Sequence, residues 1–256
     1  MNRNNPLVTI VTPSYNQGQF IEETIKSVLN QTYSPIQYIL VDGGSTDNTM
    51  EIVEKYRDKI NIIIHEKDEG QSDAINKGFK LAEGELVGWV NSDDILYPDC
   101  VENIVSLYSK KSDGSIYYGS LIDFIDNNSK KYKSVQLLVK DKNTLLKKDY
   151  SIIQQGSFYK KDYLKACGYI DKNIHYCMDL DLWLRLLQYG PIYHYNTKPI
   201  AAFRIWENTK TTKEWKPFIK EIRHTLYKYG ANTWNYTILK TYKLNMILSL
   251  KSLLIK

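Results

Sequence analysis

The 256-residue chain carries 34 Lys and Arg against 29 Asp and Glu, a formal net charge of +5, and is 43% hydrophobic and 12% aromatic. That apolar content excludes an intrinsically disordered chain and suffices for one large α/β domain or a domain with an appended subdomain. The three cysteines (Cys100, Cys167, Cys177) form no C-x-x-C pair, which excludes a paired disulfide framework, and without a zinc, helix-turn-helix or RNA-binding signature no nucleic-acid partner is expected.

Met1 to Pro6 is polar and the apolar run after it is short, so no secretory leader is expected. Leu7 to Thr12 reads as a strand, and Pro13 to Gly18 as a turn. Ile21, Ile25, Val28 and Leu29 recur at helical spacing up to about Gln31. Gln37 to Val41 is a second strand, stopped by Asp42-Gly43-Gly44. Asn48 and Glu51 stand as a capping box ahead of a helix using Met50, Val53 and Tyr56. Ile60 to His65 is a third strand, Asp68 to Asp73 a polar loop, and Ile75, Phe79 and Ala82 mark a third helix closed by Gly84. Glu85 to Val90 then reads as a buried strand that ends in the acidic cluster Asn91-Ser92-Asp93-Asp94.

Strands alternating with helices predict an α/β fold around a mostly parallel sheet. Ligands bind such sheets at the carboxyl ends of the strands, and this topology brings Tyr15, Asp42, Asp68 to Asp73 and Asn91 to Asp94 to that one edge. Adjacent carboxylates beside an amide oxygen are hard oxygen ligands of the kind Mg²⁺ or Mn²⁺ prefers, and such a cation could hold a diphosphate.

After Asp94 the pattern is mixed. Val101, Ile104, Val105 and Tyr108 give a helix, Ser115 to Asp126 and Lys131 to Val135 a hairpin, and Gly156 to Lys160 a short strand. Leu180, Trp183, Leu184 and Leu187 give a helix ended by Gly190, with Trp183 expected in the core, followed by strands at Ile192 to Tyr195 and Pro199 to Ile205. From Asn208 to Lys256 ten Lys and Arg meet two Glu, a net of +8 that leaves −3 for the remainder. A basic helical stretch with Trp and Tyr at its borders suits an anionic membrane surface; packing back onto the domain, or dimerisation, is the alternative. No segment approaches the roughly 18 unbroken apolar residues of a spanning helix. A cytoplasmic protein, peripheral on the inner face of the plasma membrane if the tail binds lipid, is the expectation.

Thr12-Pro13-Ser14-Tyr15-Asn16, Val41-Asp42-Gly43-Gly44-Ser45-Thr46-Asp47, Asp68 to Gly78, Asn91-Ser92-Asp93-Asp94 and Met178-Asp179-Leu180-Asp181-Leu182-Trp183-Leu184-Arg185 follow one another in an order that resembles family 2 glycosyltransferases of the GT-A fold. The resemblance runs from about Leu7 to Arg204. It implies a nucleotide-diphosphate-sugar-binding half at 1–97, an acceptor-binding half of the same domain at 98–206 and a basic amphipathic helical tail at 207–256. It also implies inverting transfer from a nucleotide-diphosphate sugar to a glycan or lipid-linked oligosaccharide acceptor in bacterial polysaccharide synthesis, assisted by Mn²⁺ or Mg²⁺.

Carried over by position, Pro13 and Tyr15 pack against the donor base, and Asp42 accepts a hydrogen bond from its imide, which suits UDP or dTDP. Asp73 flanks the nucleotide, and Asn91, Asp93 and Asp94 form the metal and diphosphate motif, with Asp93 the main ligand. Asp179 is the general base, while Asp181 orients the loop or pairs with Arg185 in a surface-grade interaction. The chain departs from the family pattern where Asn91 replaces a carboxylate and where Trp206 stands in place of a His that relatives often carry; His194 is no obvious substitute. His175, near the base, is the histidine worth testing. The Gln-x-x-Arg-Trp motif of processive members is missing, which favours addition of a single sugar. Two other readings stand beside this one: an inactive nucleotide-sugar or glycan-binding module, and a sugar-1-phosphate nucleotidyltransferase, against which the absence of a basic residue in Pro13 to Phe20 counts.

Overall fold

The structure, a computed structural model, describes residues 5–207 and 215–254, with side-chain surroundings described through residue 249. The first half alternates as expected: β1 (Val8–Ser14), α1 (Ile21–Leu29), β2 (Ile36–Asp42), α2 (Thr49–Glu54), β3 (Ile62–His65), α3 (Gln71–Lys80) and β4 (Leu86–Trp89). The second half adds β5 (Ile95–Leu96), α4 (Cys100–Lys110), β6 (Ile116–Gly119), β7 (Leu121–Ile125), β8 (Lys131–Gln136), β9 (Phe158–Lys160) and α5 (Lys161–Ala166). It continues with α6 (Met178–Leu186), β10 (Ile192–Tyr195), β11 (Ala201–Arg204), α7 (Trp215–Lys228) and α8 (Tyr236–Leu254).

A seven-stranded sheet runs β10-β6-β9-β4-β1-β2-β3, parallel except for β9, which is antiparallel to both its neighbours. A second, four-stranded sheet has the order β5-β11-β7-β8. Along β1 and β2 successive apolar residues serve opposite faces: Val8, Ile10, Tyr38 and Leu40 pack with α1, α2 and α4, whereas Val11, Ile39 and Val41 pack with α3 and α6. Both faces are covered, which is why these strands read as continuous apolar runs. Each fully buried Ile or Leu contributes about 1.5–3 kcal/mol relative to exposure. Beside β1 the order turns back on itself, β2 and β3 on one flank and β4 on the other, so the loops after β1 and β4 border a topological switch point.

Local details differ from the sequence expectations. The Asn48–Glu51 capping box does not form: Asn48 makes no side-chain cap, and the Asp47 carboxylate accepts the Thr49 N–H at 3.0 Å instead. Gly84 does not close α3, which ends at Lys80; a Cβ there would stand 2.6 Å from the Thr9 nitrogen, so Gly84 lets two backbones approach. Of the 115–126 stretch only β7 forms the expected hairpin, pairing antiparallel with β8. The stretch breaks at the buried Ser120, whose N–H bonds the Tyr195 carbonyl at 2.8 Å, and passes from the large sheet into the small one. Asp73, expected in a loop, lies in the first turn of α3.

The basic tail docks through part of its length. Ile219 of α7 is buried, Ile222 and Leu226 are buried in the core that includes α6, and α8 buries Ile238 while Thr237 donates to the Leu146 carbonyl. Trp234, Tyr236, Leu239, Tyr242 and Met246 remain exposed, Trp234 by 86%. Residues 208–214 of that tail lie outside the described residues.

Candidate active site

The expected donor wall is built from the loops after β1, β2 and β3. Asn16, in the left-handed region at φ 51°, accepts the Thr46 N–H at 2.9 Å through its side chain and donates its own N–H to the Ser45 hydroxyl at 2.8 Å. The Gly18 N–H meets Asp47 at 3.0 Å, so the first two loops are tied into one wall. Pro13 is buried in β1 beside Val41, and the Tyr15 ring stands out from the wall, 59% exposed.

Asp42 is fully buried. Its carboxylate accepts the Gly44 and Ser45 N–H groups at 3.1 and 2.8 Å, the Ser45 hydroxyl, and His65 Nδ1 at 2.8 Å. The expectation of a carboxylate open to a base imide is therefore corrected: Asp42 shapes the loop and orients His65, and reaching it would require this turn to open. Sequence reasoning gave His65 no role, and its exposed ring beside Asp42 follows from the register that pairs the ends of β2 and β3.

Behind β4 a polar network fixes the acidic cluster. Gln71 donates to the Asn91 side-chain oxygen at 2.9 Å, and Asn91 donates to Asp94 at 3.0 Å. Asp94 also accepts from Gln155 at 2.9 Å and from the Arg204 N–H at 3.0 Å. Burial first, and then the neighbouring Asp93 charge, push its carboxyl up to about 8. Fully buried and occupied in this way, Asp94 braces the wall and offers no surface to a donor, which corrects its expected place in the diphosphate site.

Asp93 is half-buried and accepts the Trp206 indole N–H at 3.0 Å. Trp206 thus reaches the motif as a hydrogen-bond donor in the position where a His was expected; it stacks edge-on against Phe20, with ring centroids 5.2 Å apart. Buried Arg204 joins Asp93 to the rest of the fold through the Asp93 carbonyl, the Asp126 carbonyl and Glu23. His194 sits on β10, at the sheet edge remote from β3.

Among the described residues no group of three or more His, Cys, Asp or Glu side chains could hold a metal ion. The donor set still fits a hard cation, because Mg²⁺ is commonly held by one or two carboxylates together with substrate phosphates. Asp93 supplies such a carboxylate. The Asn91 oxygen already receives Gln71, which limits it as a ligand.

The side of the expected base is formed by α3 and the segment before α6. Gly70, at φ 110°, opens α3, and Glu69, Gly70, Gln71, Ser72, Lys172, His175 and Met178 line a small cleft. Ser72 donates to the Ile174 carbonyl at 3.2 Å and contacts the Met178 sulfur at 3.0 Å, while Asn76 exchanges hydrogen bonds with the Ile170 backbone. Asp73 is turned toward this side, paired with Lys172 and at 3.6 Å from Lys77. Burial alone would raise its carboxyl, but Lys172, the Glu69 N–H and Lys77 hold it below the usual carboxylate range.

Asp179 follows Met178 at the start of α6 and accepts the Leu180 N–H at 2.8 Å. Loss of water around the half-buried carboxylate raises it to about 6, with a smaller contribution from Glu221 and with backbone N–H groups opposing the rise. Asp181 is not at the surface. It is fully buried, bonded to Arg185 Nε at 2.8 Å, to Lys228 Nζ at 3.1 Å and to the Tyr229 hydroxyl at 2.7 Å. Trp183 is in the core, its indole N–H on the Tyr159 hydroxyl at 3.1 Å.

Gln71 and Met178 line the same cleft, Gln71 bonding to Asn91 and Met178 leading into Asp179; Asp42 and Asp94 stand behind the wall.

Comparisons with known proteins identify the family and the fold. The sequence model of glycosyl transferase family 2 matches residues 9–168. An uncharacterized glycosyltransferase of Rickettsia typhi is 33% identical over 198 residues, covering 75% of this chain and 62% of the relative's length, so the chain spans under two thirds of that relative. The provisionally named teichuronic acid biosynthesis glycosyltransferase TuaG of Bacillus subtilis is 29% identical over 220 residues, covering 82% of this chain and 84% of TuaG. Among solved structures, Staphylococcus aureus TarS 1-349 in complex with UDP superposes with a TM-score of 0.66 at 19% identity, covering 85% of this chain and 64% of that one. The mannosyltransferase PcManGT of Pyrobaculum calidifontis, in complex with GDP-Man and Mn²⁺, gives 0.64 at 16% identity, covering 89% and 64%. The fold is the one these enzymes share, and by the extent of the sequence match the chain belongs to glycosyl transferase family 2.

Proposed function

We propose that this chain is a non-processive inverting glycosyltransferase. It would move a sugar from a nucleotide-diphosphate donor, UDP foremost, to a hydroxyl of a glycan or lipid-linked acceptor in bacterial polysaccharide synthesis. The observation that carries the reading is Asp179: a half-buried carboxylate beside the cleft, with its carboxyl raised to about 6. An inverting transfer needs one group to take the acceptor proton as its oxygen attacks the anomeric carbon, and a base works best when its pKa lies near the working pH. A module that only bound sugar would gain nothing from a basic carboxylate there.

The remaining roles follow from position. Tyr15 and Pro13 would pack on the base, with Asp42 shaping that wall, and Asp73 would flank the nucleotide through its pairing with Lys172. Asp93 would hold Mn²⁺ or Mg²⁺, with Asn91 beside it. A divalent cation bound there supplies compensation for charge developing on the departing diphosphate. The ligands of the fold neighbours, UDP with TarS and GDP-Man with Mn²⁺ with PcManGT, support this donor class. The domain roles follow: 1–97 for the donor, 98–206 for the acceptor. Among the described residues no helix is long and apolar enough to cross a membrane. The exposed Trp234, Tyr236, Leu239, Tyr242 and Met246 of the 207–256 tail support contact with an anionic leaflet on the cytoplasmic side, where lipid-linked acceptors would be met.

Replacing the base tests the reading. Asp179→Asn should lower turnover by about 10²–10⁴-fold while donor affinity stays within a few fold; a variant that keeps wild-type turnover removes the proposed base. The donor is found by thermal shift with UDP-, GDP-, CMP- and dTDP-sugars, with and without Mn²⁺, since a bound ligand raises the melting point by mass action. For the tail, a Trp234→Ala/Tyr236→Ala double variant should lose sedimentation with phosphatidylserine vesicles.

A further inference from the structure

Helices α6 and α7 both lie beyond the stretch matched by the family model, and one face of α7 grips the helix that carries Asp179. The Glu221 carboxylate accepts three successive backbone N–H groups, from His175 at 3.0 Å, Tyr176 at 2.6 Å and Cys177 at 2.9 Å. Farther along the same face, Thr225 meets the Cys177 sulfur at 3.4 Å, and Lys228 and Tyr229 bond to Asp181 at 3.1 and 2.7 Å. The spacing 221, 225, 228 and 229 is that of neighbours on a helix surface. Buried Ile222 and Leu226 supply the apolar contact between these polar ones.

We infer that Glu221 is a positioning residue for Asp179: by collecting the N–H groups of residues 175–177 on one carboxylate, it fixes where α6 begins and how Asp179 faces the cleft. The inference rests on the reading of Asp179 as base. Backbone N–H groups that converge on an anion are fixed by it, and charge-assisted bonds of this kind are the strong ones. The arrangement also has an electrostatic consequence. A second negative charge near Asp179 disfavours its ionisation and so keeps it a better proton acceptor, opposing the backbone N–H groups. The other titratable groups facing Asp179, the Tyr159 hydroxyl from β9 and the Cys177 thiol, are pushed up by burial and stay neutral, while Lys172 and His175 line the open side of the cleft.

The test needs no substrate. The intact protein is labelled with ¹³C at aspartate side-chain carboxyls, Asp179 is assigned by loss of its signal in Asp179→Asn, and wild type is compared with Glu221→Gln and Glu221→Ala. The expected result is an Asp179 midpoint near 6 in wild type that falls in both variants, with amide exchange at residues 175–177 faster by at least about tenfold in Glu221→Ala. Ile222→Val, which trims the same helix without touching the carboxylate, should leave the midpoint unchanged. The inference is overturned if the midpoint and the three amides are unaffected by Glu221→Ala, or if Ile222→Val shifts them equally. Loss of the base reading gives a different pattern: Asp179→Asn would retain turnover while the Glu221 variants still moved the midpoint and the amides.

Discussion

The two sides of the cleft are stabilised in different ways. The donor wall is held by bonds within and between two loops about 30 residues apart in sequence: Asp42 binds the amides two and three residues ahead, and Asn16 and Asp47 tie the first loop to the second. The base side is held by remote parts of the chain, Ser72 and Asn76 from α3 and Glu221, Lys228 and Tyr229 from α7. The donor wall is thus a preformed surface tolerant of change elsewhere, whereas the geometry around Asp179 depends on the packing of three helices. Damage to the first should appear as lost donor affinity, and damage to the second as lost stability or turnover.

The sharpest way to break this contrast is Asp181→Ala. It leaves Arg185, Lys228 and Tyr229 facing a buried void, and removing one partner of such a network costs about 3–5 kcal/mol. Urea denaturation should read that loss; a midpoint equal to wild type would mean the base side is not held from α7. Next comes pH. Because Asp179 must be deprotonated to accept a proton and is raised to about 6, kcat/KM should fall as pH drops through 6, by about tenfold for each unit below it. An ordinary Asp would put that limb near 4, so a pH–rate profile decides between them.

On the donor side, Asp93→Ala should weaken donor binding in Mn²⁺ and change it little in EDTA. Equal losses in both by titration calorimetry would assign Asp93 to holding Trp206 alone. The smallest effect is expected from Tyr15→Ala. Loss of one aromatic face exposed on the wall should cost about 1 kcal/mol of nucleotide affinity with kcat unchanged.

Much of the donor side was legible in the sequence because its information is local. Apolar runs and turn residues gave β1 to β4 and α1 to α3, and the order of the motifs gave the family. The failures share a cause. Asp42 and Asp94 were assigned to the donor by their positions in the family motifs, and nothing local reveals that His65, Gln155 and Arg204 would enclose them. Asp181 was read as a surface pair because i,i+4 spacing shows Arg185 but not Lys228 or Tyr229. Ser120 was read through because a strand that changes sheets keeps its alternation.

Sequence by itself therefore determined the order of elements, the edge at which the acidic residues gather and the family, since periodicity and motif spacing are properties of neighbouring residues. Tertiary structure alone decided which of those carboxylates keep access to a ligand and that a helix near the end of the chain grips the one beside the cleft. Burial and hydrogen-bond partnership depend on residues brought together from a hundred positions away, and a side chain's chemistry changes with them while its identity does not.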